Sequence, residues 1–184
     1  ISMNWGLVPS WYRGQNIHEI ASKTLNARIE TLGEKASFKH LIRTHRCIVP
    51  STGFFEFQLN GNQKKPYFIY PKHEIFFHMA GLYDTWMNIV TRSVYSSFTL
   101  VTTVANALMA EIHNTKKRMP LLLNSDDILP FLHGEMDFTS IQTLDAGDMS
   151  AHPVNKRILL GSNNNIPEVQ HLFKDNIGTQ GVLF

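Results

Sequence analysis

The sequence contains a single cysteine, Cys47, among its 184 residues. One cysteine excludes an internal disulfide framework and the cysteine-rich zinc modules, because both need several thiols. A nearly cysteine-free chain is typical of a reducing compartment, so the expected localisation is cytoplasmic. No apolar run reaches the roughly 18 residues of a membrane helix, and no basic segment followed by an apolar one opens the chain. The sequence therefore predicts neither a membrane partner nor a secretory signal.

Charged residues are also scarce, at 17% of the chain, against about 25% in typical soluble proteins. The formal net charge of +2 is too small to indicate a nucleic-acid partner by itself. Hydrophobic residues make up 43%, which excludes a wholly disordered chain. The length, and the lack of a linker rich in Pro, Gly or Ser, predict one domain over residues 1–184.

Several standard sites are missing from the sequence. There is no GxxxxGK[ST] loop for phosphates, no GxGxxG after a strand and no HExxH zinc motif. His40 and His45 are five residues apart, as are His73 and His78, and that spacing does not place two ligands on one helix face. We therefore expect no metal and no cofactor.

Short β-prone and helical segments alternate without a regular βαβ rhythm. Strands are predicted at 3–8, 46–50, 53–59, 66–70, 75–83, 97–103 and 150–155, and helices at 34–44, 105–112, 128–133 and 138–144, with 16–24 either a short helix or a loop. Asn60-Gly61 is a strong hairpin signal. The pattern predicts a single-domain α+β fold with a curled, mainly antiparallel, barrel-like sheet and surrounding helices.

Three side chains could carry chemistry, and each has a plainer alternative. Glu56 lies among aromatic residues, an environment that suits a general acid, but it could equally face water on an edge strand. His113 precedes the basic run 116–118 and could transfer protons beside an anion, or it could simply lie in a solvated loop. Cys47 lies in a short apolar strand, where a buried, inert thiol is the favoured interpretation.

A polar group follows at residues 26–30. Asn26 offers an amide that can clamp a ligand, and Arg28 offers a guanidinium fork for phosphate. Taken alone, this group is equally consistent with a turn and a salt bridge.

The order of these motifs along the chain is more specific than any one of them. It comprises Trp5-Gly6-Leu7-Val8-Pro9-Ser10-Trp11, Asn26-Ala27-Arg28-x-Glu30, Arg46-Cys47-Ile48-Val49-Pro50, Gly53-Phe54-Phe55-Glu56-Phe57, Lys65-Pro66-Tyr67-Phe68-Ile69, Ala80-Gly81-Leu82-Tyr83, Phe98-Thr99-Leu100-Val101-Thr102-Thr103-x-Ala105-Asn106, Ile112-His113, Arg118-Met119-Pro120 and His152-Pro153-Val154-Asn155. In this order the motifs closely resemble the SOS response-associated peptidase (SRAP) family over nearly the whole chain.

The resemblance implies a function in DNA damage. Members of this family bind single-stranded DNA and form a covalent DNA–protein crosslink at abasic sites, through a cysteine that becomes the N-terminal residue once the initiator Met is removed. Its thiol and α-amine close a thiazolidine on the sugar aldehyde. A peptidase activity, which includes self-processing, is also attributed to the family.

Matched by motif, the resemblance assigns roles to individual residues. Asn26 would orient the N-terminal amine, Glu56 would be the acid/base carboxylate and His113 the proton-transfer imidazole. The DNA contacts matched by motif would be the stacking rings of Trp5 and Trp11 and the phosphate-binding Arg28 and Arg118. The basic run beside Arg118 adds Lys116 and Lys117 as further expected phosphate contacts. The expected partner is single-stranded DNA with abasic sites.

The chain departs from the family pattern in two ways. The family's nucleophilic cysteine precedes the Trp5-Gly6 motif and is not among these residues, and the chain opens on Ile1. We therefore expect that a natural N-terminal segment is missing and that Cys47 is not the nucleophile. Four residues separate His113 from Arg118, where the family has a shorter spacing. Two other functions stay open: a thiol-dependent peptidase or self-processing hydrolase, and a non-catalytic module that binds single-stranded DNA.

Overall fold

The computed structural model describes residues 1–14, 16–162 and 164–173. Its strands are β1 (Asn4–Trp5), β2 (Asn26–Arg28), β3 (Arg46–Ser51), β4 (Phe54–Asn60), β5 (Gln63–Pro71), β6 (Phe77–Met87), β7 (Val94–Val104), β8 (Arg118–Pro120), β9 (Leu122–Leu123) and β10 (Met149–Pro153). Its helices are short: α1 (Ile17–Lys23), α2 (Ala107–Ile112), α3 (Ile128–Leu132) and α4 (Lys156–Leu159). None of these helices is long and apolar enough to cross a membrane within the described residues.

The strands form two sheets. In the larger sheet β7 pairs with β6, and β6 pairs with β3, all antiparallel, while the short strands β1 and β2 run parallel to β7. The strands β8 and β9 add antiparallel to β7 and β6. The smaller sheet is antiparallel in the order β10-β5-β4. The result is a single-domain α+β fold with a mixed main sheet and few helices.

The sheet is not the closed, barrel-like and strongly curled structure that the sequence predicts, and that part of the prediction is wrong. β3 and β4 are consecutive in the chain, yet they belong to different sheets. Gly53 lies at the break between them, and a Cβ there would approach Ile69 O and Phe68 Cζ to 2.4 Å. Only glycine fits where the chain passes so close to β5 on its way from the larger sheet to the smaller one.

Two apolar clusters hold the sheets together. One packs the larger sheet against the segments after β2 and β9, with Leu7, Leu82, Val101 and Phe131 at its centre. The other lies between the two sheets and α2, and contains Ile69, Phe77, Met109, Met119 and Met149. The buried side chains of Met109 and Ile112 pack α2 between the two sheets, and its C-terminal end lies beside β4.

Two predicted helices are not formed. Residues 34–44 make successive turns, in which the bond from Lys39 N to Lys35 O is isolated and not part of a continuous i→i−4 ladder. Residues 138–144 keep only one 3₁₀ turn, Phe138–Ser140. In both segments the backbone conformation is set by packing of apolar side chains on the core, and this packing overrides the apparent helical spacing. The buried side chains are Phe38, Leu41, Phe138 and Ile141. The hairpin is confirmed, with Gly61 and Asn62 as its two turn residues.

A buried guanidinium fastens the helical side of the fold to β3. Arg46 is 6% exposed, and its Nε donates to Ile42 O at 2.6 Å. Its Nη1 donates to Phe131 O and Met136 O at 3.1 and 2.7 Å. The guanidinium carbon lies 5.1 and 4.7 Å from the ring centres of Phe131 and Phe138. Arg46 thus donates to three main-chain carbonyls, one of them in α3, and stacks against two rings.

Replacing Arg46 should therefore cost much more stability than replacing an exposed arginine. We expect Arg46→Met to lower the free energy of unfolding by about 2–4 kcal/mol, since three buried carbonyls lose a charged donor. Arg43, which is exposed, provides the control variant Arg43→Met. Urea denaturation followed by tryptophan fluorescence measures both, and equal midpoints would contradict this account.

Candidate functional site

Two of the predicted catalytic side chains meet at the end of α2. His113 is the C-cap of this helix, where its N–H bonds Met109 O at 2.7 Å. β4 packs on α2 and turns Glu56 towards it. Glu56 Oε2 lies 3.4 Å from His113 Nδ1, and both side chains are partly exposed. The structure thus brings together a carboxylate and an imidazole from distant parts of the chain.

The hydrogen bonding of the His113 ring shows which of its two nitrogens carries the proton. His113 Nδ1 lies 2.9 Å from Arg118 O. A carbonyl oxygen only accepts, so Nδ1 carries the hydrogen and Nε2 of the neutral ring has the lone pair. Glu56 is oriented as well, because its Oε1 accepts the N–H of Phe57 at 2.8 Å. Nε2 of His113 is therefore the atom that can accept a proton from a ligand.

Glu56 and His113 lie in a cleft of about 410 Å³. Of the predicted site residues, the cleft is also lined by Trp5, Asn26, Arg28, Lys116 and Arg118. Asn26 and Arg28 are the outer residues of β2 and are both exposed. Since residues two apart on a strand share a face, the parallel pairing of β2 with β7 directs both to the cleft. The cleft therefore combines an acid/base pair, an amide and cations beside an aromatic ring.

The cations of the cleft differ in how they are held. Arg118 makes a bidentate salt bridge with Glu30, at 2.5 and 3.0 Å, and also donates to Thr102 O at 2.7 Å. The hydrogen bonds from Arg118 keep the pKa of the Glu30 carboxyl below its ordinary value. Arg28 and Lys116 are exposed at the cleft. Arg28 and Lys116 are therefore accessible to an anion in the cleft, whereas Arg118 already binds the Glu30 carboxylate.

Not all of the predicted DNA contacts line the cleft. Trp5 does, is 52% exposed, and is fixed by a hydrogen bond of 2.8 Å from Nε1 to Leu25 O. Trp11 is also exposed but lies on the loop after β1 and does not line the cleft. Lys117 has a positive φ of 49° and is likewise outside the lining. The structure thus separates Trp11 and Lys117 from the other predicted site residues.

Cys47 is not fully buried, which corrects the sequence-based expectation. It is of intermediate exposure and lines an open groove along β3, together with Ile1 to Met3, Tyr83 and Phe98. Its thiol is nevertheless surrounded by apolar groups, and desolvation raises its pKa to about 12. The side chain therefore stays a protonated thiol at neutral pH.

Sequence reasoning missed the partners in two contacts that shape the site. Glu30 pairs with Arg118 from 88 positions away, and Asn114 hydrogen-bonds both main-chain groups of Leu59, its Oδ1 accepting at 3.0 Å and its Nδ2 donating at 2.8 Å. Neither contact has a local signal, since each joins residues far apart in the chain. Within the described residues, no group of three or more His, Cys, Asp and Glu side chains could hold a metal ion.

The comparison with known protein families decides the relationship. The profile of the family described as "SOS response associated peptidase (SRAP)" matches residues 1–159. This chain belongs to the SRAP family. The resemblance drawn from the order of the motifs is thereby confirmed.

Individual relatives agree with this membership. The chain is 35% identical over 173 residues to "Abasic site processing protein YoqW" of Bacillus subtilis, covering 91% of this chain and 74% of the relative. It is 31% identical to "Abasic site processing protein HMCES" of Xenopus tropicalis, of which it spans 55%. A crystal structure of a Bacteroides thetaiotaomicron protein superposes with a TM-score of 0.88 at 38% identity, covering 94% of this chain and 76% of that one.

The altered pKa of Cys47 predicts slow thiol labelling in the folded SRAP domain. A thiol with a pKa of about 12 is more than about a thousandfold less ionised at neutral pH than an ordinary cysteine. The labelling rate with a thiol reagent should therefore rise about tenfold for each pH unit above neutral. The chain unfolded in guanidinium is the control, and fast labelling of the folded protein at neutral pH would contradict the assignment.

Proposed function

We propose that the full-length protein processes abasic sites in single-stranded DNA by forming a covalent thiazolidine crosslink through an N-terminal cysteine that precedes the residues described here. The observation that supports this function best is the pairing of Glu56 with His113 in a cleft that also presents Asn26. Relatives named abasic site processing proteins cover nearly the whole chain. Cys47, with its raised pKa, is a poor alternative nucleophile.

The crosslinking step needs proton transfers that these side chains can make. The α-amine of the cysteine adds to the aldehyde carbon of the ring-opened sugar and gives a carbinolamine. Loss of its hydroxyl as water requires a proton, and leaves an imine. The thiol sulfur then adds to the imine carbon, and the thiol proton ends on the nitrogen. One water leaves in total, and no oxidant or reductant is needed.

The geometry of the pair supports these acid/base roles. Glu56 accepts a proton from the attacking amine and returns it to the departing hydroxyl. His113 Nε2, free because Nδ1 donates to Arg118 O, receives and returns the proton of the sugar oxygen as the ring opens. Asn26 offers both an acceptor for the amine and a donor for the sugar.

The rim of the cleft suits an extended DNA strand. Trp5 offers an exposed ring on which a base next to the abasic sugar can stack without regard to its identity. Arg28 and Lys116 offer cations for the flanking phosphates. We retain Trp11, Lys117 and Arg118 as proposed DNA contacts, although Arg118 would have to share its guanidinium between Glu30 and a phosphate.

The first test is crosslinking by a chain that carries the natural N-terminal segment with its cysteine. We expect it to form a stable adduct with abasic single-stranded DNA, while residues 1–184 alone form none, because Ile1 has an amine but no thiol. Glu56→Gln should slow adduct formation about a hundredfold, because the proton donor is removed. Denaturing gel electrophoresis measures the adduct.

The control variant is Cys47→Ser, which should crosslink at the wild-type rate. A DNA remnant on Cys47 in mass spectrometry of the adduct would overturn the proposed mechanism. Cleavage of a generic peptide without any adduct would support the peptidase alternative, and DNA binding without either product would support the non-catalytic module.

DNA binding should depend on salt through the cations of the rim. With about three or four phosphates engaged, the logarithm of the affinity should fall against the logarithm of salt concentration with a slope of about −2 to −3. Arg28→Ala should make this slope shallower by about 0.7, because one phosphate contact is lost. Fluorescence anisotropy with an uncleavable abasic analogue measures it. The exposed Arg43, outside the cleft, supplies the control Arg43→Ala, and equal slopes for both variants would contradict the phosphate role of Arg28.

A further inference from the structure

We propose that Asn114 is a positioning residue of the cleft, whose side-chain amide fastens β4 to the end of α2 and so holds the Glu56 carboxylate within reach of the His113 ring. This inference rests on the proposed function, because only that function uses the two side chains as an acid and a base. It goes further by assigning a role to a residue that does not itself line the cleft.

The amide of Asn114 binds the main chain of β4 as a neighbouring strand would. Its Oδ1 accepts the N–H of Leu59 at 3.0 Å, and its Nδ2 donates to the C=O of the same residue at 2.8 Å. Leu59 follows Glu56 by three residues, which is about 10 Å along a strand. Asn114 directly follows His113, so their Cα atoms are only about 3.8 Å apart. The two bonds therefore connect the strand that carries the carboxylate to the residue next to the imidazole.

The loop from His113 to Arg118 is closed by its own hydrogen bonds. The N–H of Lys117 donates to His113 O at 2.8 Å, and His113 Nδ1 donates to Arg118 O at 2.9 Å. Lys117 O accepts the N–H of Ala105 at 3.0 Å, which ties the loop to the segment just before α2. The chain turns at Lys117 with a φ of 49°, a conformation that is uncommon for a residue other than glycine. Asn114 therefore has a defined position relative to the His113 ring.

β4 needs an anchor on this side because it is the outer strand of the smaller sheet. Among the described strands it pairs with β5 alone. Besides the two bonds of Asn114, one bond of 3.0 Å from Gln58 Nε2 to Glu111 O joins β4 to α2. Glu56 Oε2 and His113 Nδ1 are 3.4 Å apart, and both side chains are partly exposed. A displacement of β4 by about 1 Å would take the pair out of contact, and misplacements of this size can slow catalysis about a hundredfold.

The chemistry of the Asn114 side chain distinguishes positioning from a direct role in the reaction. The amide is neutral, and both of its polar atoms bind Leu59 outside the lining of the cleft. Removing the amide should therefore slow the reaction through Glu56 and leave the affinity for DNA unchanged.

Nuclear magnetic resonance of the histidine ring tests the positioning without any DNA chemistry. In residues 1–184 labelled with ¹⁵N-histidine, His113→Gln assigns the ring signals of His113. Glu56→Gln should shift these signals, because it removes a carboxylate 3.4 Å from Nδ1. In the Asn114→Ala background the same substitution should shift them about half as far or less, because the two side chains are no longer held together. Asn60→Ala is the control and should leave the full response, since the exposed Asn60 side chain has no hydrogen bond among the described residues.

A double-mutant cycle tests whether Asn114 acts through Glu56 in the reaction. In the chain with the natural N-terminal cysteine and saturating abasic single-stranded DNA, Asn114→Ala should form the adduct about tenfold more slowly, because the carboxylate is misplaced. In the Glu56→Gln background, Asn114→Ala should change the rate by less than about twofold, because no carboxylate remains to be misplaced. The affinity for an uncleavable abasic analogue and the midpoint of urea unfolding show whether a variant binds DNA more weakly or is less stably folded.

The outcomes separate the inference from the function beneath it. A reduced response of the His113 signals in Asn114→Ala, without an adduct from any of the chains, would support the positioning and refute the proposed function. An undiminished response would overturn the positioning, whatever the rates. An equal loss of rate in both backgrounds would also overturn it, since a residue that only stabilises the fold slows both alike. Weaker DNA binding with an unchanged rate at saturation would identify Asn114 as a DNA contact, and the positioning role would again be wrong.

Discussion

The arrangement of the cleft depends on the hydrogen bonding of one strand, β7. Thr102 pairs with Arg28 of β2 and with Pro120 of β8, so these two strands must lie on opposite edges of β7. Nearer its start, β7 pairs in the same way with β1 on one side and β6 on the other. Trp5, Arg28 and Arg118 therefore reach one surface because a single strand satisfies the main chains of all three segments. Loss of this main-chain pairing would move the site residues apart even if none of their side chains were changed.

The second sheet completes the site by bringing a carboxylate to an imidazole. β4 is held against α2 at three points: the pairing of Glu56 with His113, the bond from Gln58 to Glu111 O, and the two bonds of Asn114. The Arg118 carbonyl then selects the tautomer of the histidine. Glu56 and His113 are thus each held by a main-chain group as well as by one another, which preorganises the pair.

The same features explain which interactions remain open to a partner. Arg118 and Glu30 neutralise one another, whereas Arg28 and Lys116 stay exposed. At the edge of β4, the described side chains of Ser51 and Asn114 bind the main chain at Gly53 and Leu59.

The sequence alone was sufficient for much of the fold and for the family. The long strands β5, β6 and β7 have a strong β composition, and the turn at Gly61 has a strong local signal, so both could be predicted. The order of the motifs identified the SRAP relationship and pointed to Glu56, His113 and Asn26. Local patterns failed at residues 34–44 and 138–144, where packing on the core and not helical spacing decides the backbone. Only the tertiary structure decided that the strands divide into two sheets near Gly53 and that Glu30 engages Arg118. Each of these depends on main-chain or charged groups that are distant in sequence, and no local pattern encodes which of them will meet.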